Sequence, residues 1–215
     1  MGVVRAWHAE AVLEALTGTG LAGAAGLNAY IPLLAIGLLD RYTSLITLPD
    51  SWRWLSNGWV LTILGVLLAV ELVADKIPLV DHANDVIQTV VRPTAGGLAF
   101  TAGSTSETVT VTDPGSFFES KQWVPMVIGI LLAGSVHLIK AAARPVINTF
   151  TLGLGAPVVS TAEDATSATL SAVAIIIPVL VIVFIGVFIW LGWWVLTRRR
   201  RRARAQAAAA TQNTY

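Results

Sequence analysis

The stretch from Glu71 to Pro93 holds the densest set of residues able to do chemistry: Glu71, Asp75, Lys76, Asp81, His82, Asn84, Asp85, Gln88 and Arg92. Glu71 and Asp75 are four apart, so a helix puts them on one face. Asp81, Asp85 and Gln88 share a face of the next helix, with Arg92 one turn beyond. Asp85 and Arg92 are separated by two turns, roughly 10 Å along the axis, too far for a direct pair. Each therefore needs a partner on another helix, and Glu71 is the candidate for Arg92. Charges in an apolar setting can relay protons or cations, or hold an anion at an arginine. That chemistry is assigned to Glu71, Asp85 and Arg92. Asp75, Lys76, Asp81 and His82 read as solvated charges of a loop.

A fourth candidate, Asn28, lies in Gly26-Leu27-Asn28-Ala29-Tyr30-Ile31-Pro32. Pro32 has no N–H and its ring clashes with the carbonyl one turn earlier, at Asn28. The break frees backbone carbonyls beside an amide side chain. At membrane depth such backbone survives only when covered by protein or lining a wet cavity. Asn28 is either a substrate or ion contact or a feature of a kinked helix, with Gly18, Gly20, Gly23 and Gly26 as a close-packing face. Near the end of the chain, Ser160 or Thr161 is expected to cap the last helix, with Glu163 and Asp164 in its first turn. His137 reads as a lone histidine bonded to a neighbouring helix. The chain has no cysteine, and no HExxH, Gly-x-Ser-x-Gly or P-loop lysine is present. No catalytic residue, metal ligand or cofactor is assigned, and nucleic acid is not an expected partner.

The elements that must position these residues are apolar helices. Of the 215 residues 55% are hydrophobic and 13% charged, about half the charged share of a soluble domain. A membrane helix needs about 20 mostly apolar residues. Residues 15–39, 54–70 (extendable to 74), 122–139 and 165–197 meet or approach this and count as four firm helices. Residues 83–103 and 145–162 are two broken or re-entrant segments. The expected fold is therefore an all-α, polytopic transmembrane bundle of about six segments over residues 1–197. A basic, disordered tail follows over 198–215. All eight tryptophans lie near expected helix ends, as a headgroup belt requires. Arg198, Arg199, Arg200, Arg201 and Arg202 follow the last span and place the C-terminus in the cytoplasm. They are also a candidate anionic-lipid contact. Glu10 and Glu14 interrupt the apolar run a cleaved signal peptide would need.

Residues 63–76 (ILGVLLAVELVADK) and 127–140 (VIGILLAGSVHLIK) align without a gap at Gly65/Gly129, Leu67/Leu131, Leu68/Leu132, Ala69/Ala133 and Lys76/Lys140. Two transporter halves can look like this, although apolar helices also match by composition.

The motifs at residues 26–34 (GLNAYIPLL), Asp75-Lys76-Ile77-Pro78, Asp81-His82, Asp85, Arg92-Pro93 and 157–164 (PVVSTAED) resemble a bacterial family of small membrane proteins described as a domain of unknown function. The resemblance covers residues 15–185 and implies a polytopic protein of the bacterial plasma membrane, with no activity attached. The broken helices, the candidate repeat and the intramembrane charges, not the resemblance, give the expectation of a small transporter or channel for an ion or small solute, in the lipid bilayer, as a homo-oligomer or within a larger complex. The alternatives are a non-transporting accessory or scaffold subunit, and a Mg²⁺-dependent lipid-headgroup enzyme using Asp75, Asp81 and Asp85.

Overall fold

A computed structural model describes residues 2–104, 123–151 and 155–187, and beyond them residues 189, 190, 193, 194 and 197. The side chains of residues 2–9, 78–83 and 148 are outside the description. So are residues 105–122, residues 152–154 and the basic tail over 198–215. Among the described residues the protein is all-helical, with no strand. Residues 1–181 form one compact unit; a second begins at Ile182 and is helical over residues 182–187.

The first apolar run folds as two helices, α1 (Gly2–Leu27) and α2 (Tyr30–Tyr42). The interruption falls where Pro32 places it. Pro32 sits in the first turn of α2, where a missing N–H costs nothing. The Asn28 side-chain oxygen accepts hydrogen bonds from the backbone N–H groups of Tyr30 at 3.1 Å and Ile31 at 3.2 Å. Those are two of the donors a helix start leaves unpaired. A loop folded back on Asp40, whose carboxylate accepts from the Leu48 N–H at 2.7 Å, leads into a 3₁₀ turn at Arg53–Ser56. Helix α3 (Gly58–Ala74) opens on Asn57, whose side chain accepts from the Trp59 N–H.

Helix α4 (Pro78–Ser104) is continuous, so the segment at 83–103, expected to be broken or re-entrant, is a plain helix despite Pro93. Helix α5 (Trp123–Thr151) runs through Pro145 for 29 residues. Helix α6 (Ala156–Ile176) starts with Pro157 in its first turn. The other doubtful segment, 145–162, is therefore no separate element: it ends α5 and begins α6. The run expected over 165–197 is interrupted at Ile177, followed by a 3₁₀ turn at Pro178–Leu180. Pro178 explains the stop, because it cannot donate to the preceding turn. These breaks shorten the apolar runs. One described helix, α5, is long and apolar enough to cross a membrane; α3 and Pro178–Val187 are apolar but shorter.

Helices α1, α4, α5 and α6 form the packed core, with α4 against α5 as the most extensive interface. Small residues allow the approach. A Cβ on Gly129 would strike the Gly96 backbone, and one on Gly96 would strike Ala133. Gly26 of α1 lies equally close to Ala133 and Val136 of α5. Helix α3 packs mainly on α2 and turns a wide apolar face outward, with Trp59 80% exposed. The two aligned segments are not equivalent in space: a Cβ on Gly65 would meet nothing within 4 Å, whereas Gly129 is wedged against α4.

Candidate functional site: a buried network of charges

The break after Leu27, the end of α3, the first half of α4, the second half of α5 and the start of α6 converge on one cluster. Asp75, one residue past α3, is its hub. Its Oδ2 lies 3.5 Å from Arg92 Nη2, 3.4 Å from Lys140 Nζ and 3.3 Å from Arg144 Nη2. Its Oδ1 accepts from Asn84 Nδ2 at 2.7 Å. Burial pushes the Asp75 carboxyl up, but Lys140, Arg92 and Arg144, with the Asn84 hydrogen bond, outweigh it and hold the group below the usual aspartate range.

Arg92 is fully buried and donates to Glu71 Oε1 at 2.8 Å. Its Nη1 lies 3.4 Å from His137 Nδ1. A guanidinium can only donate, so Nδ1 is the acceptor and the histidine carries its proton on Nε2. That N–H faces Thr89 Oγ1 at 3.1 Å, and Thr89 donates onward to the Asp85 carbonyl at 2.8 Å. Lys140 Nζ lies 2.8 Å from Glu163 Oε2 and donates to the Leu27 carbonyl at 3.2 Å. This carbonyl ends α1 and is freed by the helix break. Arg144, one turn along α5, reaches the same Glu163 oxygen at 3.0 Å. Asn28 donates to Asp164 Oδ1 at 3.0 Å, and Ser167 donates to the Ala24 carbonyl at 2.9 Å, fastening α6 to the end of α1.

Of the residues singled out from sequence, Asn28, Glu71 and Arg92 are buried and belong to this network. The proposed pairing of Glu71 with Arg92 is present. Asp85 stands at its edge, half-buried, with an Oδ1 atom that has no hydrogen-bond partner among the described residues. His137 is bonded to a neighbouring helix as expected. Two expectations are corrected. Asp75 is not a solvated loop charge: it is 1% exposed, because three cations from two other helices reach it. Ser160 and Thr161 do not cap the last helix, which already starts at Ala156. Glu163 and Asp164 therefore sit within the helix and point into the network. The side chains of Asp81 and His82 lie outside the described residues.

Lys140, Arg144, Glu163 and Asp164 were not assigned a site role from sequence. The available signal was the four-residue spacing of Lys140 and Arg144 at the end of an apolar helix, matched by an acidic pair on the next one. Among the described residues no group of three histidines, cysteines or carboxylates is arranged to hold a metal ion. Asp75, one of the three carboxylates named for a Mg²⁺ site, is engaged by three cations.

A cavity of about 210 Å³ opens between α1, α2 and the loop after it, the end of α4 and the end of α6, lined by Glu14, Thr17, Leu21, Ile36, Ala102 and Gly103 among others. Leu21 is two turns, roughly 10 Å, from Asn28 along α1.

An all-helical bundle with apolar exterior residues and a charged interior is thus the class that fold and site define. The chain belongs to the family described as Domain of unknown function (DUF4126), whose model matches residues 15–198. No curated protein and no solved structure matches it.

Proposed function

We propose that this protein spans a lipid bilayer and works as a small transporter or channel, with the charge network on the path of an ion or small solute. The observation that carries this reading is the reversed polarity of the bundle. Arg92, Glu71, Asp75, Lys140 and Arg144 are all less than 10% exposed, while Trp59, Val66, Val70, Val73, Val86 and Val90 are more than half exposed. In water this arrangement loses twice, because it exposes apolar area and buries charge. In lipid the apolar faces are at home, and charges must face protein or a wet path. Exposed tryptophans at the starts of α3 and α5 suit a headgroup belt. The broken helix at Asn28 beside bound carboxylates is the kind of element that builds transporter sites, and the α1 cavity offers an approach from one end. Self-association and an anionic-lipid contact of Arg198–Arg202 belong to the same reading, as does a cytoplasmic C-terminus in a bacterial plasma membrane.

The chain has no cysteine, so single cysteines at positions 28, 85 and 92 can be probed against a silent background. Labelling by a membrane-impermeant thiol reagent, from one side of oriented vesicles, is the expected result. Protection from both sides, with labelling restored on unfolding, overturns the path. The alternative would then hold, an accessory or scaffold subunit whose interior ion pairs only fix helix packing. Close pairing of the charges is the observation favouring that alternative.

A further inference from the structure

Glu71 Oε1 accepts from Arg92, but Glu71 Oε2 is buried and receives no hydrogen bond among the described residues. The same is true of Gln88 Oε1. Both residues are 2% exposed. Gln88 and Arg92 are four apart on α4 and so adjacent on one face, which brings Gln88 to the flank of the Glu71–Arg92 pair. Tyr30 of α2 is hydrogen-bonded to Gln88 and lies within electrostatic reach of Glu71. Two buried acceptor oxygens without a hydrogen-bond partner among the described residues thus flank the same Arg92, one on α3 and one on α4. Neither can satisfy the other, because a carboxylate and an amide oxygen only accept.

We infer that Glu71 and Gln88 form a proton-binding site. A proton taken from water onto Glu71 Oε2 makes that atom a donor, with Gln88 Oε1 as its acceptor. One proton thereby relieves both oxygens. The charge balance of the surroundings points the same way. Glu71 itself feels Arg92 of α4, Asp75 beyond α3 and Lys140 of α5, with Tyr30 of α2 nearby, and through them it joins a network that also holds Lys76, Asp85, His137, Arg144, Glu163 and Asp164. With His137 neutral, the network's described side chains comprise five carboxylates and four cations, one negative charge in excess, which one proton cancels. Protonation also weakens the hold of Glu71 on Arg92, whose Nη2 already lies 3.5 Å from Asp75. Loading the proton therefore shifts Arg92 toward Asp75, and with it the contact to His137. The site joins proton occupancy to the position of Arg92, which links α3, α4 and α5. As a coupling site it rests on the transport reading above; as a proton site it stands without it.

The test is infrared difference spectroscopy of the full chain in lipid nanodiscs across a pH step. The expected result is a protonated-carboxyl stretch that titrates, is lost in Glu71→Gln and survives in Asp85→Asn. In Gln88→Leu the band should move to higher frequency, because its hydrogen-bond acceptor is gone. A band absent from the wild type, unchanged in Glu71→Gln or lost only in Asp85→Asn overturns the site. If Glu71→Gln does not fold, Gln88→Leu decides alone: a shifted band supports the site and an unshifted one refutes it. Proton flux into proteoliposomes separates the two ideas. A Glu71-dependent band without flux keeps the proton site and removes the transport reading. Solute flux without any Glu71-dependent band keeps transport and removes the proton site.

Discussion

Helices α1, α4 and α5 meet twice, and the two meetings are built from opposite materials. Around Gly26, Gly96, Gly129 and Ala133 the backbones touch with almost no side chain between them. One turn away on α4, at Arg92, and about two to three turns away on α5, at Lys140 and Arg144, long charged side chains fill the space and bond to carboxylates from α3 and α6. The glycine contacts have close backbone approach as their only attraction, so any added atom works against them. The charged contacts tolerate distance but not the loss of a partner, because an unpaired buried charge costs far more than the pair contributes. The first region fixes how close the helices come. The second fixes their register.

That contrast sets the expected order of effects. Arg92→Ala should be the most damaging change. It leaves Glu71 buried without its cation and removes one of three from Asp75, a loss of about 3–5 kcal/mol. A large drop in the thermal midpoint of the detergent-solubilised protein would show it. Arg92→Lys should recover only part, since an ammonium cannot reach Glu71, Asp75 and His137 in one plane. A midpoint for Arg92→Ala equal to wild type would mean the network is solvated and would break the comparison.

Gly129→Ala should come next. Its Cβ meets the Gly96 backbone, which cannot rotate away, so α4 and α5 must separate at a cost of about 1–3 kcal/mol. Crosslinking between cysteines placed on the two helices should weaken accordingly. Asn28→Ala removes the group that caps α2 and donates to Asp164, and should cost about 0.5–2 kcal/mol. Hydrogen exchange at the amides of Tyr30 and Ile31 should rise first. Gly65→Ala is the smallest change and has the opposite sign. With open space at its Cβ, alanine should stabilise α3 by up to about 1 kcal/mol through helix propensity. Gly65 and Gly129 align in sequence, so opposite signs for the same substitution would show that the aligned segments are not working repeats. Equal losses at both would revive the repeat and place an unseen partner against α3.

Much of the helical content was legible from hydrophobic runs alone, and the break at Asn28 from a single proline. The limits of the later elements were not. Pro93 and Pro145 look like breakers in the sequence, yet α4 and α5 run through them, because packing against neighbours outweighs a lost backbone bond. Pro178 does stop its helix. A proline has the same local chemistry at all these positions, so the outcome depends on what lies alongside.

The candidate site divides in the same way. Residue type and setting singled out Asn28, Glu71, Asp85 and Arg92, since a charge or amide in an apolar run demands a partner wherever the chain goes. Composition likewise determined that the protein would carry its apolar residues outward in quantity. Only the tertiary structure decided who the partners are. Asp75 reads as a loop residue until Lys140 and Arg144 arrive from 65 and 69 positions away, and Glu163 reads as a helix-start acid until the helix begins earlier. The physical reason is range. Hydrophobic periodicity and proline act within a turn or two of chain, whereas an ion pair is defined by distance in space, which no local pattern encodes.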